Sequence, residues 1–209
     1  MKGLLLKDLL FFRTQGKINL LAMALVIVFS VVQESPGILA AAVVLFVWIF
    51  LMNSFSQDEL NKWPTFVITT SLNKREWALS KYLFVGSLYG IGFLIFLPFL
   101  LGWFGFHLQI PVKTLFLFMG GFILAGWILC TIFIPVFFKW GPEKGRICIM
   151  VFILSCYPLL FLAGKYKPQL EPLIESIQKY GITIAILIAI LSTIVSIFIS
   201  TRIVYKKEY

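Results

Sequence analysis

The chain has 209 residues, of which 60% are hydrophobic and 13% charged, and its mean hydropathy is +0.98. Soluble domains are about half apolar and about a quarter charged, so this composition excludes an ordinary soluble domain and predicts an integral membrane protein. The net charge of +9 does not point to nucleic acid, because the cations are scattered between apolar runs and do not gather on one polar face.

The first segment, MKGLLLKDLLFFRTQ, is not read as a cleavable signal, since Lys7 and Asp8 interrupt its apolar run and no small-residue cleavage site follows. Wound as a helix, it places Leu5, Leu6, Leu9, Leu10 and Phe12 on one broad face, with Lys7, Asp8, Thr14 and Gln15 opposite. Leu4 and Phe11 interrupt the polar face, and Lys2 and Arg13 must snorkel from the apolar one. The expectation is an interfacial helix over residues 1–17.

A helical span needs roughly 20 apolar residues. Six segments are predicted to cross: Ile18–Val32, Ile38–Phe55, Tyr82–Phe106, Val112–Phe138, Ile147–Ala163 and Gly181–Val204. Glu34-Ser35-Pro36-Gly37 reads as a tight turn between the first two. Pro98 and Pro135 are expected to kink or end their helices. Residues 164–180, rich in Pro and Lys, form the loop before the last span, read as a short amphipathic helix or a plain loop.

Lys and Arg set the predicted sidedness. The N-terminal tail (Lys2, Lys7, Arg13, Lys17), the 56–81 loop (Lys62, Lys74, Arg75, Lys81), the 139–146 loop (Lys139, Lys144, Arg146) and the C-terminal tail (Arg202, Lys206, Lys207) carry fourteen cations. The opposite side holds four: Lys113, Lys165, Lys167 and Lys179. This asymmetry predicts both termini in the cytoplasm.

Within the 56–81 loop, Trp63-Pro64 is expected to break any early helix, and residues 65–70 read as extended or irregular. Asn73 and Glu76 have capping-box spacing, so a helix should begin at Lys74 and run unbroken into the third span. On that helix Leu72, Leu79 and Leu83 form one stripe, with Lys74 and Lys81 roughly opposite. Small residues at four-residue spacing (Gly86 and Gly90, Gly121 and Ala125, Ser192, Ser196 and Ser200) favour close helix contacts, within the chain or between subunits.

Several chemistries are not indicated. No G-x-x-x-x-G-K-[ST] loop is present to hold nucleotide phosphates. Cys130, Cys148 and Cys156 lie in apolar stretches without metal-ligand spacing and read as core residues. His107 and Cys130 are a conceivable base and nucleophile, but their expected depths differ and no third group orients them. No predicted span has Asp or Glu in its middle, which argues against a proton-coupled transporter or ion channel.

The run DELNKWPTFVITTSLNKREWALSKYLF resembles the signature of small six-span ABC-2-type permeases, in which an acidic residue and a Trp precede a run ending in Ser-Lys-Tyr-Leu. FKWGPEKGR is similar to that family's second cytoplasmic loop, and the likeness spans essentially the whole chain. Ser71 stands where the family often has Pro, and Asn73 where it often has Ser.

The resemblance implies an all-α membrane domain over residues 1–209, with six transmembrane helices, an N-terminal amphipathic elbow helix and a cytoplasmic coupling helix between spans two and three. It implies a non-enzymatic permease subunit of an ATP-driven exporter in a bacterial cell membrane. ATP and magnesium would be held by a separate cytoplasmic ATPase, with no cofactor in this chain. A second permease subunit and membrane lipids are the other partners implied. Asn73, Lys74, Arg75, Glu76 and Trp77 are the expected ATPase contact, and Lys139, Glu143, Lys144 and Arg146 a second one. Similarity to peptide exporters such as the phenol-soluble modulin exporters suggests an amphipathic peptide as substrate. A non-transporting immunity or sensor protein and an intramembrane hydrolase are the alternatives.

Overall fold

The computed structural model describes residues 2–33, 36–69, 73–100, 112–165 and 167–207. Its regular structure is entirely helical: α1 (Lys2–Val32), α2 (Pro36–Leu60), α3 (Trp63–Thr69), α4 (Lys74–Leu100), α5 (Val112–Lys165) and α6 (Lys167–Lys206). Four stretches among the described residues are long and apolar enough to cross a membrane: Gly37–Leu60, Lys74–Ile95, Met119–Phe152 and Thr183–Lys206.

The helices are longer and fewer than the sequence suggests. The elbow segment and the expected first span form one continuous α1, of which Leu21–Ser30 is an apolar stretch among the described residues. The expected fourth and fifth spans lie within α5, whose two arms meet at Gly141, the only residue of that helix with non-helical angles (φ 80, ψ 172). The break therefore falls inside the expected 139–146 loop, at Gly141, and Pro135 lies within the first arm. A positive φ of this kind costs a side-chain-bearing residue about 1–2 kcal/mol and costs glycine little. Pro142, with its fixed φ, then suits the first turn of the second arm.

The segment read as irregular after Trp63 is helical. Lys62 takes a positive φ of 49, and its carbonyl accepts from the N–H of Thr65 at 3.1 Å and of Phe66 at 3.3 Å. Pro64 falls in the first turn of α3, where its missing N–H has no intrahelical partner to lose. The stretch before the last span continues as helix into α6. Its side chains, like those of residues 101–111 including His107, lie outside the described residues.

Helix α4 occupies the centre. Among the described residues it touches each of the other five helices, and no other helix does so. Its buried positions Trp77, Ala78, Tyr82, Val85, Leu88 and Tyr89 recur at three- and four-residue spacing, the period of one helix face. They meet Val43, Val47, Phe50, Leu51 and Phe55 of α2 and Cys130, Phe133, Ile134, Phe137 and Phe138 of α5. Aromatic rings fill one end of this core: Phe55 stacks on Phe137 at 5.1 Å and meets Phe138 edge-on at 5.0 Å.

Gly141→Ala is expected to lower the melting temperature of the detergent-solubilised protein by a few degrees, because it forces about 1–2 kcal/mol of backbone strain. Its Cβ would also come within 3.4 Å of the Glu59 carboxylate. Gly120→Ala, where a Cβ meets nothing within 4 Å, is the control; equal melting for both variants would contradict this account of the bend.

Candidate functional site

The start of α4 is built as a capped handle. Asn73 Oδ1 accepts the N–H of Arg75 at 3.0 Å, so the cap closes on the second helical residue and not, as the spacing suggested, on Glu76. The N–H of Glu76 instead reaches the Asn73 carbonyl at 2.9 Å. Either pattern satisfies one of the donors a helix start leaves orphaned. Tyr205 Oη donates to the same Asn73 oxygen at 2.9 Å, pinning the end of α6 to the start of α4.

Two turns into α4 sits Lys81, with no exposure. Its ammonium lies 2.7 Å from Asp58 of α2 and 3.2 Å from Asp8 of α1, and it donates to Ser54 Oγ of α2 at 2.5 Å. Lys7 pairs directly with Asp58 and lies 3.5 Å from Asp8. Ser54 donates to Asp8 at 3.0 Å, and the Trp77 indole N–H donates to Asp58 at 3.4 Å. Two cations and two carboxylates make the cluster neutral, and hydrogen bonds occupy much of its remaining capacity. Those are the conditions under which buried charge is tolerated.

Lys81 and Leu83 do lie on opposite sides of α4, as their spacing suggested, and it is the lysine side that faces the core: Lys81 is fully buried and Leu83 is 48% exposed. Two carboxylates draw the ammonium inward, and an apolar surrounding favours Leu outside, as for ionisable residues in membrane bundles generally. On α1, too, the charged side turns to the bundle. Leu4 and Asp8, one turn apart, are buried, whereas Leu6 and Leu10 face outward at 59% and 52% exposure. The side chains of Leu5, Leu9 and Phe12 lie outside the described residues.

The next residue, Tyr82, reaches the other side of the bundle. Its hydroxyl lies 2.6 Å from Ser196 Oγ and 2.8 Å from Ser200 Oγ, both buried on α6. Ser196 in turn donates to the carbonyl of Thr131 on α5. Thr131 Oγ1 also donates to Ser192 at 3.3 Å, so the Ser192-Ser196-Ser200 stripe serves contacts within the chain. Adjacent side chains of one helix thus grip opposite neighbours, Lys81 holding α1 and α2, and Tyr82 holding α6 and, through Ser196, α5.

Of the residues expected to meet an ATPase, Asn73 and Arg75 are exposed, Lys74 and Glu76 half-buried, and Trp77 only 2% exposed. Trp77 belongs to the core, edge-on to Phe138 at 5.2 Å, and its indole is not on the outer surface of the handle. Lys139, Glu143, Lys144 and Arg146 are all exposed around the Gly141 bend. The two segments converge at one end of the bundle, because Thr65 and Trp77 line the same cavity as Gly141 and Pro142.

A side chain at Gly86 would meet the Trp127 ring at 3.6 Å, whereas Gly90 and Gly121 face open space. Ala125 is exposed too. Cys130 is fully buried, with the Tyr89 hydroxyl 3.8 Å from its sulfur. Among the described residues, no three His, Cys, Asp or Glu side chains converge as a metal site would require.

Asp8, Ser54, Asp58 and Tyr82 were not singled out from the sequence as site residues. The available signal was that Asp8 and Asp58 lie within or beside apolar helical runs, where a carboxylate needs a partner.

Comparison with protein families matches residues 3–205 to the model described as "ABC-2 family transporter protein". No curated protein and no solved structure matches the chain.

Lys81→Met should destabilise the protein by about 3–5 kcal/mol, the usual cost of removing one partner from a buried ionic group. Adding Asp58→Asn should restore part of that loss, because Lys7 and Asp8 remain as a neutral pair. Denaturant unfolding in detergent reads both. A double variant no more stable than Lys81→Met would contradict the charge-balance argument.

Proposed function

The chain belongs to the ABC-2 family of transporter proteins, and from that membership we propose that it is the membrane-spanning subunit of an exporter driven by a separate cytoplasmic ATPase. The observation that carries this reading is the α4 handle, a capped polar helix start continuous with a membrane-crossing helix and clamped to the other spans through Lys81 and Tyr82. A push on such a handle moves helices and not merely a loop.

Asn73, Lys74, Arg75 and Glu76 form the primary ATPase contact in this reading, with Trp77 supporting it from behind. Lys139, Glu143, Lys144 and Arg146 form the second. The chain has no nucleotide-binding loop in its sequence, so the energy comes from the partner, which holds ATP and magnesium.

The proposed topology has six spans with both termini in the cytoplasm, α1 providing an elbow and a first span, and the two arms of α5 providing the fourth and fifth. Sidedness rests on the excess of Lys and Arg in the tails and in the loops that carry the handle and the Gly141 bend. Residues on the outward face of α6, among them Leu187, Leu191, Ile194 and Phe198 at 62–68% exposure, meet lipid or a second permease subunit of the same or a related chain. The substrate is proposed to be an amphipathic peptide, leaving a bacterial cell across its cytoplasmic membrane; this rests on the likeness to peptide exporters alone.

Arg75→Glu and Glu76→Ala should each reduce co-purification of a co-expressed ABC ATPase at least tenfold, with membrane insertion unchanged. Undiminished co-purification with both variants would contradict the contact. Vesicles containing both subunits should release an amphipathic peptide only when ATP is supplied; ATPase binding without such efflux would contradict the transport reading and favour an immunity or sensor role.

A further inference from the structure

The end of α6 reaches both segments assigned to the ATPase. Val204 is fully buried and belongs to the core, and the N–H of Lys207 donates to the Ile203 carbonyl at 3.0 Å. The last turn is therefore anchored in the bundle and wound to its end. Two side chains leave it in different directions. Tyr205 Oη donates to Asn73 Oδ1 at 2.9 Å, the oxygen that caps the start of α4 by accepting the N–H of Arg75. Lys207 Nζ donates to the Phe138 carbonyl at 3.2 Å, near the end of the first arm of α5.

The second bond meets a requirement written into the sequence. In a continuous helix the Phe138 carbonyl would accept the N–H four residues further on. That residue is Pro142, which has no N–H to give, and Gly141 has already left the helical backbone. The carbonyl is thus deprived of its helical partner at the negative end of the arm's dipole, where a lysine ammonium is a favourable donor. The donor comes from 69 residues away. Phe138 is held from a second side too, since its ring meets Trp77 of α4 edge-on at 5.2 Å. Lys206, one residue earlier in the same basic tail, is exposed, so charge in the tail does not by itself explain what Lys207 does.

We infer that Tyr205 and Lys207 are positioning residues that cap the two ATPase-facing segments from a single turn and keep them in register. The inference rests on the permease reading above and adds to it the device that aligns two separate contacts for one partner. Tyr205 fixes the Asn73 side chain, and with it the first turn of the handle. Lys207 fixes where the first arm of α5 stops, and with it the setting of Lys139, Glu143, Lys144 and Arg146 around the bend. A displacement of the handle then reaches the bend through α6 as well as through the Trp77–Phe138 contact.

Amide hydrogen exchange on the full chain alone, in detergent, reads the caps without any partner. Tyr205→Phe should speed exchange in the first turn of α4, and Lys207→Met should speed it over residues 136–146. Both should leave the melting temperature unchanged. Unaltered exchange in both variants would overturn the capping role.

Co-purification of a co-expressed ABC ATPase reads the alignment. The double variant Tyr205→Phe, Lys207→Met should lower capture roughly three- to tenfold, the size expected when one ordinary hydrogen bond no longer holds a contact in place. Lys207→Arg, which can still donate to the carbonyl, should keep full capture, and so should Lys206→Met, which removes the same charge from the neighbouring position. Equal losses from Lys206→Met and Lys207→Met would make the effect one of net charge and overturn the inference. If the unaltered chain and the double variant capture the ATPase equally, the alignment role fails and the permease reading stands. If the unaltered chain captures none, the permease reading fails and the alignment role with it, even where exchange responds as expected.

Discussion

A lysine ammonium with no exposure needs partners, and Lys81 finds them on two different helices, Asp8 on α1 and Asp58 on α2. Removing a unit charge from water costs several kcal/mol even after relaxation, so the helices bearing these groups cannot separate without stranding one of them. Lys7 brings the second cation that makes the cluster neutral. This requirement ties α1 to the bundle beside the apolar contact of Leu4 with the core, while Leu6 and Leu10 point outward. The rotation of α4 follows too. With Lys81 facing inward, Tyr82 is turned about 100° onward around the helix and meets α6, while Leu83 is carried to the outer surface.

The centrality of α4 is thus a consequence of two neighbouring residues with different chemistry. Lys81 supplies charge and attracts carboxylates; Tyr82 supplies a hydroxyl at the end of an apolar ring and suits the serine stripe of α6. Hydrogen bonds among hydroxyls inside a membrane bundle are individually modest, about 0.6 kcal/mol on average where measured. Their value here is directional, because they fix which face of α6 meets α4. The handle inherits this rigidity through an unbroken helix from Lys74 to Leu100. In the permease reading, the force exerted by an ATPase on residues 73–76 is delivered to α1 and α2 on one side and to α5 and α6 on the other.

Much of this fold was legible in the sequence, and the parts that were not share a cause. Apolar runs announce helices because their length is dictated by the bilayer, and the Asn73 cap is visible because capping is local. The burial of Lys81 was not legible, because helical periodicity knows only neighbours along the chain, whereas Asp8 lies 73 residues away. Asp8 itself was assigned to a solvated face for the same reason. Residues 65–69 were read as irregular because Pro64 was taken as a breaker, when a proline in the first helical turn removes no hydrogen bond. The bend in α5 falls inside the expected 139–146 loop, at Gly141, a residue that tolerates its positive φ, and Pro135 does not mark it. Of the handle, Asn73 and Arg75 are exposed, whereas Trp77 is buried, a difference the sequence does not reveal, since an indole on a membrane helix serves equally as surface anchor or core filler. Here it donates to Asp58 and rests on Phe138.

The claim that Lys81 and Tyr82 grip opposite sides of the bundle can be measured by spin-label distances. Leu60 on α2, Leu83 on α4 and Phe198 on α6 are exposed at 73%, 48% and 66%, so labels there leave the core intact. Pulsed electron resonance on the Leu60–Leu83 and Leu83–Phe198 pairs should give narrow distributions in the otherwise unaltered protein. Lys81→Met should broaden only the first, and Tyr82→Phe only the second. Broad distributions without either substitution, or equal broadening of both pairs by either one, would contradict the two-sided grip.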